Sequence, residues 1–307
     1  MSDLLRRVQQ LLAGGARALP RPGQGQTARR HRALCDVGQS DLSVARIIEA
    51  HTDALAILEE AGRRGSPASL YGVWASDGPA SQVMATRLER GWRLEGTKQY
   101  CSGTSLVTDA LVTAHHGGAV LMFLVPMNTP GIRVEPSNWA SAAMADTATA
   151  PVSFDGVVLA EDACLRDANW YLQRPGFWHG AIGPAACWAG GAMSLIHAAR
   201  ELDRRDPHTR AHLGAMEAAA WSLTALLDQA GIEIDQDPGD ERHQARRRAL
   251  MVRHLVERTA TEVLDRFGRA TGPKLLAFDP QVARQHAALS IYIRQCHAER
   301  DLADIPV

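Results

Sequence analysis

The sequence predicts an α+β fold, mostly α, with N-terminal helices, a central antiparallel β-barrel and a C-terminal four-helix bundle. Three observations carry this reading. Apolar residues recur at helical spacing near both ends of the chain. Over about 69–162 the period falls to two, and short alternating runs are separated by turn residues. Beyond 177, four long helical stretches follow one another through short polar loops, as antiparallel neighbours do.

Residues 1–68 are read as an N-terminal helical segment. Leu4, Leu5, Val8, Leu11 and Leu12 have helical spacing. A loop rich in Pro and Gly, LPRPGQGQT at 19–27, follows. A longer helix is predicted over 41–65, with Asp41 as N-cap and Leu42, Ala45, Ile48, Leu55 and Leu58 on its apolar face. The β zone, 69–165, holds predicted strands at 83–88, 92–98, 110–115, 120–125, 132–135, 151–154 and 157–159. Arg90-Gly91, Gly117-Gly118, Thr129-Pro130-Gly131 and Asp155-Gly156 separate them as turns. Many short strands at this spacing suggest a small antiparallel barrel or sandwich. In the C-terminal zone, 166–307, helices are predicted at 177–204, 209–230, 242–267 and 281–298. The first is rich in Gly and Ala, which requires a neighbour packed close against its backbone.

Composition narrows the function classes. Thirty-three Lys and Arg nearly balance 34 Asp and Glu, which argues against nucleic acid or an anionic membrane as partner. No apolar run is long enough to span a bilayer, and the N-terminus lacks a signal-peptide segment. Five Cys without a CxxC pattern point to free thiols in a reducing compartment, hence a cytoplasmic location. His115 and His116 are adjacent, but no Cys or carboxylate cluster accompanies them, so no metal is predicted.

The most informative stretch is GWRLEGTKQYCSGTS, 91–105. Trp92 and Leu94 alternate with Arg93 and Glu95 as a strand does; Gly96 interrupts the pattern, and a run of small and hydroxyl residues follows. With its continuation to Ala114 the stretch is similar to the motif GY-x-LNGTK-x-WITNG…AD…V-x-A of the acyl-CoA dehydrogenase superfamily of FAD-dependent flavoproteins. MFLVPMNTPGIRVEP, 122–136, resembles that family's FLV…PG strand pair, and VSFDGVVLAEDACL, 152–165, its V-x-F-D-x-V-x-VP segment. The order helices, barrel, bundle is the family's architecture.

The resemblance implies an FAD cofactor and an oxidoreductase acting on a small-molecule substrate, such as an acyl-CoA, by hydride transfer to flavin N5. An isoalloxazine ring is flat with polar edges, so backbone amides, short hydroxyls and an aromatic wall suit it. By position, Tyr100, Cys101 and Ser102 stand for the family's Trp-Ile-Thr at the ring, with Ser102 keeping the hydroxyl; the alternative is a β-turn with a capping Ser. LYGVWASDGPAS, 70–81, occupies the place of YCVTEPGAGSD, so Val73, Trp74 and Ala75 are carried over as cofactor contacts, with barrel core as the alternative for Trp74. For the diphosphate, ELDRRDPHTRAHLG offers Arg204, Arg205 and Arg210, and DRFGRATGPKLL offers Arg269, Thr271 and Gly272. A helix stop explains Gly272-Pro273 equally well.

The family's catalytic Glu does not stand where the resemblance places it. SIYIRQCHAERD aligns Tyr292 with the Tyr of the YEG motif, and Ile293 and Arg294 with Glu-Gly. His179, on the first bundle helix, and Glu299 are candidate acid–base groups, with Asp301, His286 and His297 as further alternatives. Three readings stay open: an acyl-CoA dehydrogenase-like enzyme, a flavin monooxygenase or oxidase of the same fold, and a non-catalytic binding subunit. The N-terminal segment is short for the family, which implies a more open site. The family's cofactor site is shared between subunits, implying a homodimer or homotetramer.

Overall fold

A computed structural model of the chain describes residues 2–14, 19–78, 81–203 and 206–305. It is 55% helical, in keeping with the mostly-α reading. The chain divides into two compact units, one of 1–17 and 50–177, the other of 18–49 and 178–307.

The first unit carries a seven-stranded sheet: β1 (Tyr71–Trp74), β2 (Val83–Arg87), β3 (Trp92–Cys101), β4 (Asp109–His116), β5 (Ala119–Pro126), β6 (Ile132–Val134) and β7 (Ala150–Leu159). Antiparallel ladders join β2 to β3, β3 to β7, β7 to β6 and β4 to β5. β5 pairs along the whole of β4, so β1 and β2 share the other edge of β4, and both run parallel to it. The sheet is therefore mixed, and its ladders do not close into the predicted antiparallel barrel. Alternation reports that a segment is a strand and which face is buried, but not the direction of its partner. The predicted Asp155-Gly156 turn is also corrected. β7 runs straight through it, and the register slips there, Leu94 facing Val157 and Gly96 facing Phe154. Gly96 is required at this slip: its φ is +124°, and a Cβ would stand 2.1 Å from the Gln82 carbonyl oxygen.

Helix α1 (Asp3–Ala13) is capped by Ser2, whose hydroxyl accepts from the Leu5 amide at 3.2 Å. Two further helices, α2 (Thr27–Ser40) and α3 (Leu42–Glu60), follow the predicted loop. The C-terminal half of α3 buries Ala54, Ile57 and Leu58 against Tyr71, Leu111 and Met122 of the sheet. A fully buried side chain of the Ile or Leu type stabilises by about 1.5–3 kcal/mol, so Ile57 and Leu58 each contribute on that order to this contact. Two short helices, α4 (Trp170–Gln173) and α5 (Pro175–Gly180), close the region; Arg174 reaches Glu60 at 2.8 Å and lies over Tyr171.

The second unit is helical: α6 (Gly183–Arg200), α7 (Pro207–Gln236), α8 (Ala245–Thr271), α9 (Pro273–Phe278), α10 (Pro280–Tyr292) and α11 (Glu299–Ala303), together with α2 and the start of α3. α6, α7, α8 and α10 are the four predicted helices. α2 joins them, packing against α6 and α7. The small residues of α6 explain this layer. A Cβ at Gly190 would meet the Cys35 carbonyl oxygen at 2.1 Å, so helices α2 and α6 touch backbone to backbone. Asp41 caps α3 as the sequence predicts, accepting from the Val44 amide at 2.9 Å. Gln285 of α10 secures the break before it, accepting from the Leu42 amide at 3.0 Å and donating to the Gly38 carbonyl at 3.1 Å.

Candidate functional site

The ends of β1 and β3 meet in the first unit. The Trp74 indole N–H donates to the Ser102 carbonyl at 3.1 Å, tying the end of β1 to the segment after β3. β3 carries an extra residue there, since Lys98 faces Val152 while Cys101 faces Ala150. This bulge reverses the side-chain alternation. Tyr100 takes the left-handed conformation, φ +56°, and the residue is 69% exposed. Holding a bulky residue there costs about 1–3 kcal/mol, a strain that clusters at ligand-binding segments.

Cys101 turns inward instead and is fully buried. Burial pushes its thiol up to about 12. Its side chain, like that of the 4%-exposed Trp74, belongs to the core, so the carried-over contacts of Trp74 and Cys101 reduce to their backbone atoms. Val73 and Ala75 are half-buried on either side of Trp74.

Ser102 ends a line of hydroxyls. Thr149 donates to its oxygen at 3.1 Å, and Thr147 lies 2.9 Å from Thr149. Among the described residues no acceptor takes the Ser102 hydroxyl proton, so Ser102 keeps a donor in hand. The half-buried hydroxyl, the backbone at the ends of β1 and β3, and the exposed Tyr100 ring are the donor set and aromatic wall that a flat heteroaromatic cofactor requires.

A buried ion pair fixes the loop after β1. Lys98 is fully buried, and its ammonium binds the Asp77 carboxylate and donates to the Thr113 hydroxyl at 2.8 Å. Thr113 passes a hydrogen bond to the Ala75 carbonyl at 3.1 Å, and the His115 Nε2–H donates to Asp77 at 2.7 Å. Burial lowers the Lys98 ammonium's pKa, against the pull of Asp77. Burial would raise the Asp77 carboxyl, but hydrogen bonds from Lys98 and His115 outweigh it and hold that carboxyl low. Sequence reasoning passed over this network and the Thr147–Thr149 pair. The parity of β3 gave a signal: Lys98 shares the inward face of Trp92 and Leu94, where a lysine needs a buried partner.

The remaining candidates lie in the second unit. Arg269 is 65% exposed on its side chain and pairs with Asp265 one turn earlier at 3.0 Å. Thr271 donates to the Phe267 carbonyl at 2.9 Å, and Gly272, φ +62°, ends α8 and precedes Pro273 at the start of α9. Thr271 and Gly272 therefore build a helix stop. Arg210 is exposed, and Arg204 and Arg205 lie outside the described residues. His179 lies on the short α5 rather than on the first bundle helix, and is buried, with Nε2 donating to the Pro238 carbonyl at 3.2 Å, whereas Glu299 is exposed in the first turn of α11. No hydrogen bond or ion pair joins these two. At the family's base position Tyr292 and Ile293 are core residues, and Arg294 pairs with the buried Glu257 at 2.7 Å.

No described helix is long and apolar enough to cross a membrane. No family model and no curated protein sequence matches the chain. Solved structures do. The FMN-bound TdsC of Paenibacillus sp. A11-2 superposes with a TM-score of 0.84 at 19% identity, over 98% of this chain and 89% of that one. Butyryl-CoA dehydrogenase of Megasphaera elsdenii superposes with a TM-score of 0.83 at 16% identity, over 97% of this chain and 88% of that one. Methanesulfinate monooxygenase MsuC of Pseudomonas fluorescens gives 0.74 at 16% identity, over 100% and 98%. Dehydrogenases and monooxygenases thus share one architecture with this chain, and its fold is that of the acyl-CoA dehydrogenase-like flavoproteins.

Proposed function

We propose that the chain is an FAD-dependent oxidoreductase acting on an acyl thioester or related small molecule. The observation that carries the reading is the end of β3: a bulge that exposes the Tyr100 ring beside the uncommitted donor of Ser102, in a fold shared with butyryl-CoA dehydrogenase. When bound, the flavin supplies a two-electron acceptor at N5. The chain's own residues bind and orient it. Tyr100 covers ring surface, the Ser102 hydroxyl donates to a polar edge, and the backbone at Val73, Trp74, Ala75 and Cys101 supplies the remaining polar contacts. By the resemblance the diphosphate falls to a neighbouring copy's Arg269, Thr271 and Gly272, with Arg269 leaving its surface pairing with Asp265. The Lys98–Asp77 pair keeps the loop after β1 in one conformation, which lowers the ordering cost of binding.

The division at 68 and 165, a four-helix bundle built by α6, α7, α8 and α10, a homodimer or homotetramer, and a cytoplasmic location belong to the same proposal. Titration with FAD, followed by anaerobic addition of an acyl-CoA panel, tests it. Uptake of FAD and bleaching of its visible band support the reading; a protein that takes up no flavin refutes it.

A second reading, a flavin monooxygenase, is favoured by one observation. At the position of the family's YEG motif the chain presents Ile293 and an Arg294 already paired with Glu257, so no carboxylate there takes an α-proton. TdsC, which shares the fold, is a dibenzothiophene monooxygenase bound to FMN. Oxygen consumption by the reduced protein, without bleaching by any acyl-CoA, selects this reading.

A further inference from the structure

Ser102 is fixed at its main chain and at its side chain. Its carbonyl accepts from the Trp74 indole at 3.1 Å. The next two residues are stapled to the segment before β7: the Gly103 amide donates to the Thr147 carbonyl at 2.7 Å, and the Thr104 hydroxyl to the Ala148 carbonyl at 2.7 Å. Thr149, which ends that segment, donates its hydroxyl to the Ser102 Oγ at 3.1 Å. The backbone contacts settle where Ser102 stands; the Thr149 contact settles where its proton points.

A hydroxyl carries one proton and two lone pairs. Thr149 gives its proton to Ser102, so at the 2.9 Å contact with Thr147 it can only accept. Thr147 is buried, and its proton has two acceptors in reach, Thr149 and the Met144 carbonyl at 2.7 Å. Ser102 cannot return its own proton along the line on which it receives one. That proton points away from Thr149 and meets no acceptor among the described residues. A hydroxyl that accepts is also the stronger donor, because hydrogen bonds in a chain polarise one another. The line runs one way, from buried Thr147 through Thr149 to half-buried Ser102, two residues from the exposed Tyr100.

We propose that Thr149 is a positioning residue of the flavin site: by donating to Ser102 it makes that hydroxyl an obligate donor to flavin N5. This rests on the flavin reading above. N5 is an edge atom whose hydrogen-bonding role inverts, accepting while the ring is oxidised and carrying a hydrogen once it is reduced. The ring's carbonyl oxygens accept in both states. An obligate donor at N5 therefore favours the oxidised ring over the reduced one. Acting through Ser102, Thr149 sets how readily the bound flavin takes up electrons.

Potentiometric titration of the FAD-loaded protein against a reference dye, with the affinity for oxidised FAD measured alongside, tests the proposal. Thr149→Val keeps the shape of the side chain and removes the donor. It should weaken oxidised FAD about fivefold and leave reduced FAD unchanged. For a two-electron couple that difference raises the midpoint potential by about 20 mV. Thr149→Ser, which keeps the hydroxyl, should retain the parent values. On a Ser102→Ala background Thr149→Val should move neither quantity. If Thr149→Val fails to fold, Thr149→Ala is read in the same way. Weaker FAD binding with an unmoved potential is what a purely structural Thr149 gives, and it overturns the proposal. So does a shift that persists without the Ser102 hydroxyl. A lowered potential assigns Ser102 to a ring carbonyl and also overturns it. A parent protein that takes up no FAD refutes the flavin reading and this inference together, whereas uptake with an unmoved potential refutes the inference alone.

Discussion

Replacing Lys98 with Met tests the network that fixes the loop after β1. The ammonium is fully buried and serves two partners, Asp77 and Thr113. Met keeps most of the side-chain volume, so the loss is electrostatic rather than a cavity. Removing one partner of a fully buried pair costs about 3–5 kcal/mol, whereas an exposed pair is worth about 0–1 kcal/mol. Asp77 lies between these limits. Its side chain is 29% exposed, and it keeps the His115 bond at 2.7 Å. The expected loss is therefore about 2–3 kcal/mol. Urea unfolding at neutral pH measures it, and a double-mutant cycle with Asp77→Asn isolates the pair. A loss below about 0.5 kcal/mol, or a cycle without coupling, would refute the assignment of Lys98 as a buried, loop-fixing cation.

Three further outcomes are expected. Gly190→Ala drives a methyl into the Cys35 carbonyl at 2.1 Å, and the overpacking should destabilise the helical unit by about 1–3 kcal/mol, read from its unfolding midpoint. His31 is buried, its Nδ1–H donating to the Leu227 carbonyl at 3.0 Å, and burial lowers its pKa from 6.5 to about 4. The folded chain thus holds His31 neutral where the unfolded chain would protonate it. Its stability contribution is complete above pH 6.5 and is lost as pH falls toward 4, about 3 kcal/mol in all. His31→Gln should flatten the stability profile across that window; an unchanged slope would count against a neutral buried His31. Cys101 and Cys35, both pushed up to about 12 by burial, should resist alkylation at neutral pH in the native protein and react on unfolding.

The strands were legible because their alternation matches real burial. Trp92 and Leu94 are interior while Arg93 and Glu95 are not. The parallel partners of β4 and the open edge were not legible, because pairing direction is a long-range property. α2 escaped for a different reason. Its buried residues include Arg30 and His31, so its apolar stripe is broken by polar side chains that find partners only after packing. At the candidate site, the hydroxyl of Ser102 and the ring of Tyr100 could be read from their resemblance to a motif. The inward turn of Cys101 could not, because the bulge that produces it depends on the register of β7. The Trp74 indole likewise found its partner 28 residues away, on the Ser102 carbonyl.

Tyr100, near the end of β3, and Ser102, just after it, are the proposed flavin contacts. Equilibrium titration of the parent protein, Tyr100→Ala and Ser102→Ala with FAD and FMN, followed by the visible flavin spectrum, tests this central claim most directly. Uptake by the parent is expected, with affinity reduced about tenfold in each variant; Tyr100→Ala should leave the unfolding midpoint unchanged, and Ser102→Ala should lower it only slightly, through the lost Thr149 bond. Flavin uptake that both variants retain at full strength would contradict the account.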